Sequence, residues 1–396
     1  MNLRTRVMAA FGLAVLTAAG TAAAASAGQV DDVIGHVYVN DNTAGANTIA
    51  AFARHSDGSL TPASGSPYAA GGAGLGQLVG SQGALQLSSD GRYLLAVDAG
   101  SNQVSVLRIK PDGGLRLVEG SPVSSGGVEP VSIAVHDDLV YVANEGNGAS
   151  GSNYSGFRLH RGGRLVPIAG STVPLPSTAN PGDVLFNPEG DHLVGVEVGT
   201  TDPSTFRIDS FLVGEDGRLA SAAGSPFPAQ AAGPFGSAFS PAAPNHLYVS
   251  NAHAGAGNGS VSAFKVAENG GLSSIGASPY ADGQNAPCWV EISPDGRYLF
   301  AVDTGSTDVS SYRIQAGGAL TYLQSTPFKS GKGIRPFDAR LDPSGRTLYV
   351  VDAALRAVSL FSVSGGSLTE RAASPIALPA AATPFGIAVT GEHSEE

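Results

Sequence analysis

The 22 residues from Ser293 to Ile314, SPDGRYLFAVDTGSTDVSSYRI, recur without a gap at Ser88 to Ile109, SSDGRYLLAVDAGSNQVSVLRI, with 15 identities. An ungapped match of that length between distant stretches of one chain means a repeated structural unit, which constrains the fold more than any average property. Two markers count the copies. A short apolar strand occurs seven times, ending at Val39, Val97, Val142, Val196, Val249, Val302 and Val350, at spacings of 58, 45, 54, 53, 53 and 48. A closing element occurs seven times as well: GSP at Pro67, Pro122 and Pro226, GST at Thr172, ASP at Pro279 and Pro375, and STP at Pro327.

Each copy contains about four short stretches of alternating apolar and polar residues, bounded by Gly, Asp, Ser and Pro, and none with a helical period. Four strands per repeat of roughly 50 residues predict an all-β, seven-bladed β-propeller with four-stranded blades. The 54 glycines suit the tight hairpins this requires. After the leader the repeats begin with VYVN (Val37 to Asn40), a second strand, and end with TPFGIAVTG (Thr383 to Gly391), a first strand. The C-terminal strand should therefore complete the N-terminal blade and close the ring. With the strands labelled a to d, the a–b and c–d turns fall on one face and the b–c loops and d-to-a connections on the other. Turns on the first face are short and alike (SSDGR, NPEGD, SPDGR, DPSGR). Loops on the second differ, from NEGNGASGSN to the long connection Ala69 to Gly83, and varied loops on a rigid body are where binding residues concentrate. The expected site is the central channel mouth on that second face.

Arg4 and Arg6, an apolar run from Val7 to Leu16 and small residues ending Ala25-Ser26-Ala27 read as a secretory signal over 1–27, leaving 28–396 as one propeller domain, exported to a periplasm or the exterior. No later stretch is long and apolar enough to span a membrane. Without the leader, 20 basic residues face 33 acidic ones, a formal charge near −13 that disfavours nucleic acid and anionic membranes as partners. The single Cys288 cannot form an internal disulfide, so packing alone must stabilise a chain expected to be a monomer.

The succession of a Pro-led strand, an SPDGR turn, a strand of the LYVVD type, a DGGL turn and an SP close resembles the seven-bladed propeller lactonase family, including its 6-phosphogluconolactonase-like and YVTN-repeat relatives. The resemblance covers essentially all of 28–396. It implies hydrolysis or formation of a lactone in the central channel, with a His at the start of an a strand and Arg and Glu nearby. Here those starts are Ser81-Gln82-Gly83, Pro130-Val131-Ser132, Pro181-Gly182-Asp183, Pro234-Phe235-Gly236, Pro287-Cys288-Trp289, Pro336-Phe337-Asp338 and Pro384-Phe385-Gly386, and none carries His. Asn144-Glu145 in VYVANEGN is similar to the family stretch that bears its channel Glu, and Arg335 stands where a channel Arg would. Export argues against a sugar phosphate as the substrate.

Lactone opening needs a group to activate water and a cationic or N–H group for the oxyanion. The candidates are Glu145 or Asp183 as base and Arg335 as stabiliser, with His253, Asp338 and Trp289 as binding residues. Each has a structural alternative: Glu145 as a loop cap, Arg335 as a surface charge, His253 as a lone imidazole. Asp98, Asp303 and Asp352, with Asn144 and Asn251, recur after strand b. They are read as turn side chains bonding their own backbone rather than as a cation ring. Cys288 is read as a buried thiol, and GGAGLG (Gly71 to Gly76) as loop. The sequence identifies no metal and no cofactor. A second reading stands beside the enzyme: a non-catalytic propeller that holds a ligand or protein partner on its varied loops.

Overall fold

The computed structural model describes residues 32–391; the leader read at 1–27 lies outside them. They form seven antiparallel sheets, the predicted seven blades. In blade order the a strands are Ile387–Val389, Leu85–Leu87, Pro130–His136, Pro181–Phe186, Pro234–Phe239, Pro287–Ile292 and Pro336–Leu341. Blade 1 is built from both ends of the chain. Its a strand pairs with Val33–Asn40, setting Val39 opposite Ile387 and Val37 opposite Val389, so the ring closes as the sequence predicts. Among the described residues the helices are two three-residue 3₁₀ turns, Ala99–Ser101 and Pro203–Thr205, and no helix is long and apolar enough to cross a membrane.

Neighbouring blades are joined by tyrosines of the b strands. The buried hydroxyls of Tyr38, Tyr141, Tyr248 and Tyr349 donate to the carbonyls of Gly113, Gly217, Gly318 and Gly58, each in the c–d turn of the next blade. Gly113 shows why these turns are glycine: its φ is +76°, and a Cβ there would lie 1.9 Å from His36 Nε2.

The SP marker has a structural cause. In six blades the outer strand is broken into two short pieces, as in Leu115–Leu117 and Val123–Ser124, both paired with strand c (Gln103–Ile109). The break would orphan a c-strand amide, and the marker serine supplies the acceptor. Ser66, Ser121, Ser171, Ser225, Ser278 and Ser374 accept from Ala51, Val106, Gly156, Ser210, Ala263 and Leu360 at 2.7–3.1 Å. Blade 6 differs: its outer strand, Leu320–Pro327, runs unbroken, and Ser325 instead bonds the Ser310 hydroxyl.

The polar residues that recur after strand b correct the expectation of turn chemistry. Their side chains reach across to strand c: Asp98, Asp303 and Asp352 accept from the hydroxyls of Ser105, Ser310 and Ser359 at 2.5–2.7 Å. Asn144 and Asn251 likewise bond Ser155 and Ser262. Strand pairing places Asp41 and Glu197 at the same position in blades 1 and 4, so all seven blades bury an acid or its amide there. The SPDGR turns do follow turn chemistry, with Asp295 accepting from Ser293, from the Arg297 amide and from the Arg297 guanidinium.

Candidate active site in the central channel

The a strands line the channel, and the long connection Ala69 to Gly83 ends inside it. Ser81 and Gln82 are buried there. The Ser81 hydroxyl donates to the Val131 carbonyl, the Gln82 amide donates to the Gly182 carbonyl, and the Trp289 indole donates to the Ser81 carbonyl at 2.7 Å. The Gln82 carboxamide spans to blades 5 and 6, donating to the Ser237 carbonyl at 2.6 Å and accepting from the Val290 amide at 3.0 Å. Gly236 makes this crossing feasible, since a Cβ there would sit 2.3 Å from Gln82 Oε1. These contacts run over the first four residues of the a strands, from the second face inward. The loop that looked most suited to gripping a ligand on the second face is thus folded in as a plug on that side.

Beyond the plug, toward the a–b turns, lies a cavity of about 470 Å³. Its apolar wall includes Ile133, Phe186, Phe239 and Ile292, and its polar groups include Gln82, Gln86, Asp183, Ser237, Glu291 and Arg340, with His136 and Asn187 toward the a–b turns. Glu291 and Arg340 project from matching positions of neighbouring a strands, four residues after Pro287 and Pro336. Their charged ends lie 3.4 Å apart, at side-chain exposures of 16% and 26%. Burial pushes the Glu291 carboxyl up to about 7 against the pull of Arg340, with the charge of Asp338 adding to the rise. Burial works against the Arg340 charge, but Glu291, Asp338 and Asp183 outweigh it and raise its pKa.

Of the sequence-derived candidates, Asp183 and Asp338 lie together in the channel, close enough that the charge of Asp338 helps to raise Asp183. Asp183 is fully engaged: Oδ1 accepts from Ser132 at 3.2 Å, and Oδ2 from both the amide and the hydroxyl of Ser237 at 2.9 and 2.7 Å. Burial nonetheless pushes it up to about 7. Asp338 is buried, accepts from the Ala339 amide at 2.9 Å, and is raised by burial to about 6. Trp289 is the anchor of the plug, stacked on Phe337 at 4.8 Å and meeting Phe235 edge-on at 5.2 Å.

The other three candidates sit on separate blades of the second face. Glu145 follows strand b of blade 3, with its amide bonded to the Glu129 carbonyl and its carboxyl raised to about 7 by burial and by the Glu129 charge. Arg335 is exposed in a left-handed conformation (φ +53°), its carbonyl accepting from Ala353. His253 is exposed, its ring lying against Gly233, and burial of part of the ring lowers its pKa. The structure does not bring Glu145, Arg335 and His253 together. Sequence reasoning missed Glu291 and Arg340, though a signal existed. Four residues after the leading Pro, blades 1, 3, 4 and 5 carry Ala388, Ala134, Leu185 and Ala238, and only blades 6 and 7 place a charge in that row.

Among the described residues no three His, Cys, Asp or Glu side chains are grouped as a metal site. The Cys288 thiol is buried, donates to the Ala286 carbonyl at 3.3 Å and is pushed up by burial to about 12.

The sequence profile described as "Lactonase, 7-bladed beta-propeller" matches residues 236–384. Among solved structures, a candidate 6-phosphogluconolactonase of Bacteroides uniformis superposes with a TM-score of 0.72 at 20% identity, over 91% of this chain and 100% of its own. A periplasmic gluconolactonase of Pseudomonas aeruginosa gives 0.70 at 17%, over 91% and 99%. A hypothetical selenium-binding protein of Sulfolobus tokodaii gives 0.68 at 12%, over 92% and 95%. At these identities the likeness shows the fold alone. No curated protein matches the chain.

Proposed function

From a chain that resembles the seven-bladed propeller lactonases in sequence over 236–384 and in fold over its described residues, we propose a lactone hydrolase whose reaction centre is the Glu291–Arg340 pair. The observation that carries this reading is the pair itself, an acid raised to about 7 beside a retained guanidinium at the wall of a channel cavity. A carboxyl poised near neutrality can accept a proton from water. That water attacks the acyl carbon of a bound lactone, and Arg340 donates to the oxygen on which negative charge develops. When the tetrahedral adduct collapses, the ring C–O bond breaks, and the proton held by Glu291 passes to the departing alkoxide. Asp183, held by three donors, orients the floor of the cavity.

The test is hydrolysis of a panel of aliphatic and sugar lactones by the purified chain. Glu291→Gln and Arg340→Met should each lower kcat/KM by about 10²-fold or more, whereas Glu145→Ala and Arg335→Ala should leave it nearly unchanged. Loss in the second pair and not the first would move the site to the opposite mouth. Absence of turnover on every lactone would favour a ligand-holding propeller.

We propose export as well, on the basic, apolar and small-residue order of 1–27. N-terminal sequencing of the secreted chain should begin at Gly28.

A further inference from the structure

A second cavity, of about 440 Å³, lies at the seam where blade 7 meets blade 1, on the face of the a–b turns, with walls that Glu291 and Arg340 do not line. Three guanidiniums border it: Arg54 from strand c of blade 1 (Thr48–His55), Arg346 from the a–b turn of blade 7, and Arg371 just after Ser367–Glu370. The one acid on its wall, Asp342, is largely committed to its own turn. It accepts from the Ser344 hydroxyl and from the amides of Arg346 and Thr347, and meets Arg54 at 3.4 Å.

The arginines have donors to spare. Arg54 is 4% exposed and donates to the carbonyls of Ile34 and Thr390, while Arg371 donates to the Asp57 carbonyl and the Thr347 hydroxyl. The Nε–H of each has no acceptor in the protein, and a guanidinium carries five N–H groups in all. The surroundings share this sign. Beside the cavity Arg346 is exposed and Lys329 donates to the Arg371 carbonyl, while the acids Asp342 and Glu370 are buried and the exposed Asp57 adds one opposing charge. This is a local reversal on a chain of formal charge −11.

We propose that this seam cavity binds a multivalent oxyanion, with Arg346 and Arg371 as its principal donors and the fixed charge of Arg54 behind them. The same chemistry has two sources. One is a free carboxylate- or phosphate-bearing molecule. The other is the chain itself, because Gly391 borders the cavity and the next residues are Glu392-His393-Ser394-Glu395-Glu396.

Thermal unfolding at constant ionic strength separates these outcomes, with citrate and inorganic phosphate as probes on the full chain, on a chain ending at Gly391, and on Arg346→Ala and Arg371→Met. A saturable rise in Tm of the full chain, with affinity weakened about tenfold or more in either variant, assigns the site to a free anion. A full chain indifferent to citrate, beside a shortened chain whose lower Tm citrate restores, assigns it to the chain's own glutamates. No response in either chain overturns the proposal, as does a response that survives both arginine substitutions. Arg346 is exposed, so its loss leaves folding intact and the result readable.

Discussion

Asp183 separates a structural carboxylate from a reacting one. Asp183→Ala strands the Ser132 hydroxyl and both donors of Ser237 in a buried site, at a cost of about 3 kcal/mol that urea unfolding should register. Glu291→Gln, at the cavity wall, should change stability far less than it changes turnover. The Cys288 thiol, pushed up to about 12, should stay unreactive toward a thiol reagent at pH 8 until the chain unfolds. Legibility at this scale was uneven. Asp183 and Asp338 could be picked out because they stand beside a leading Pro, where a carboxylate is conspicuous. Glu291 sits in PCWVEI as an ordinary strand residue, and its importance appears only when Arg340 of the next blade is set beside it in space.

At the scale of the strand, the marker serines substitute for a broken ladder. Ser121→Ala should leave the Val106 amide without an acceptor and cost about 1 kcal/mol, whereas Ser325→Ala in blade 6, where the outer strand runs on through a bulge and Ser325 itself pairs with Ser310, should cost clearly less. Comparing the two midpoints in urea tests this role against a merely turn-forming one. The blades were legible because strand alternation and turn chemistry are local and were written seven times. The plug was not. Ala69 to Gly83 has the composition of a loose surface loop, and its fate is decided by partners up to 208 residues away, in Trp289 and Val290. That single long-range contact set also turned the accessible cavity toward the face whose uniform turns had suggested mere scaffold.

The whole molecule carries a ring of buried acids, of which Glu197 has an arginine, Arg207, as its strand partner. Burial raises Asp41 and Asp352 to about 7, and raises Asp98, Glu197 and Asp303 as well. An unfolded carboxyl titrates near 4, so the folded chain holds more protons than the unfolded chain between there and pH 7. The contribution of these acids to stability is therefore fully present below about pH 4 and is lost as pH rises through 7, the reverse of the usual carboxylate case. Unfolding free energy should decline from pH 5 to pH 8. Asp352→Asn, which imitates the protonated acid, should match the parent at pH 4 and exceed it increasingly as the pH rises, by up to about 4 kcal/mol at pH 8. A flat profile would show these groups ionised and solvated instead.

Closure of the ring by Ile387–Val389 also has a kinetic side. The strand Val33–Asn40 is among the first parts of the ring to be synthesised, and its partner is nearly the last. For the whole interval, some 350 residues of elongation, its backbone edge stays open to any other extended chain. The vulnerable moment for this protein is thus its synthesis, and it ends abruptly when the final strand arrives.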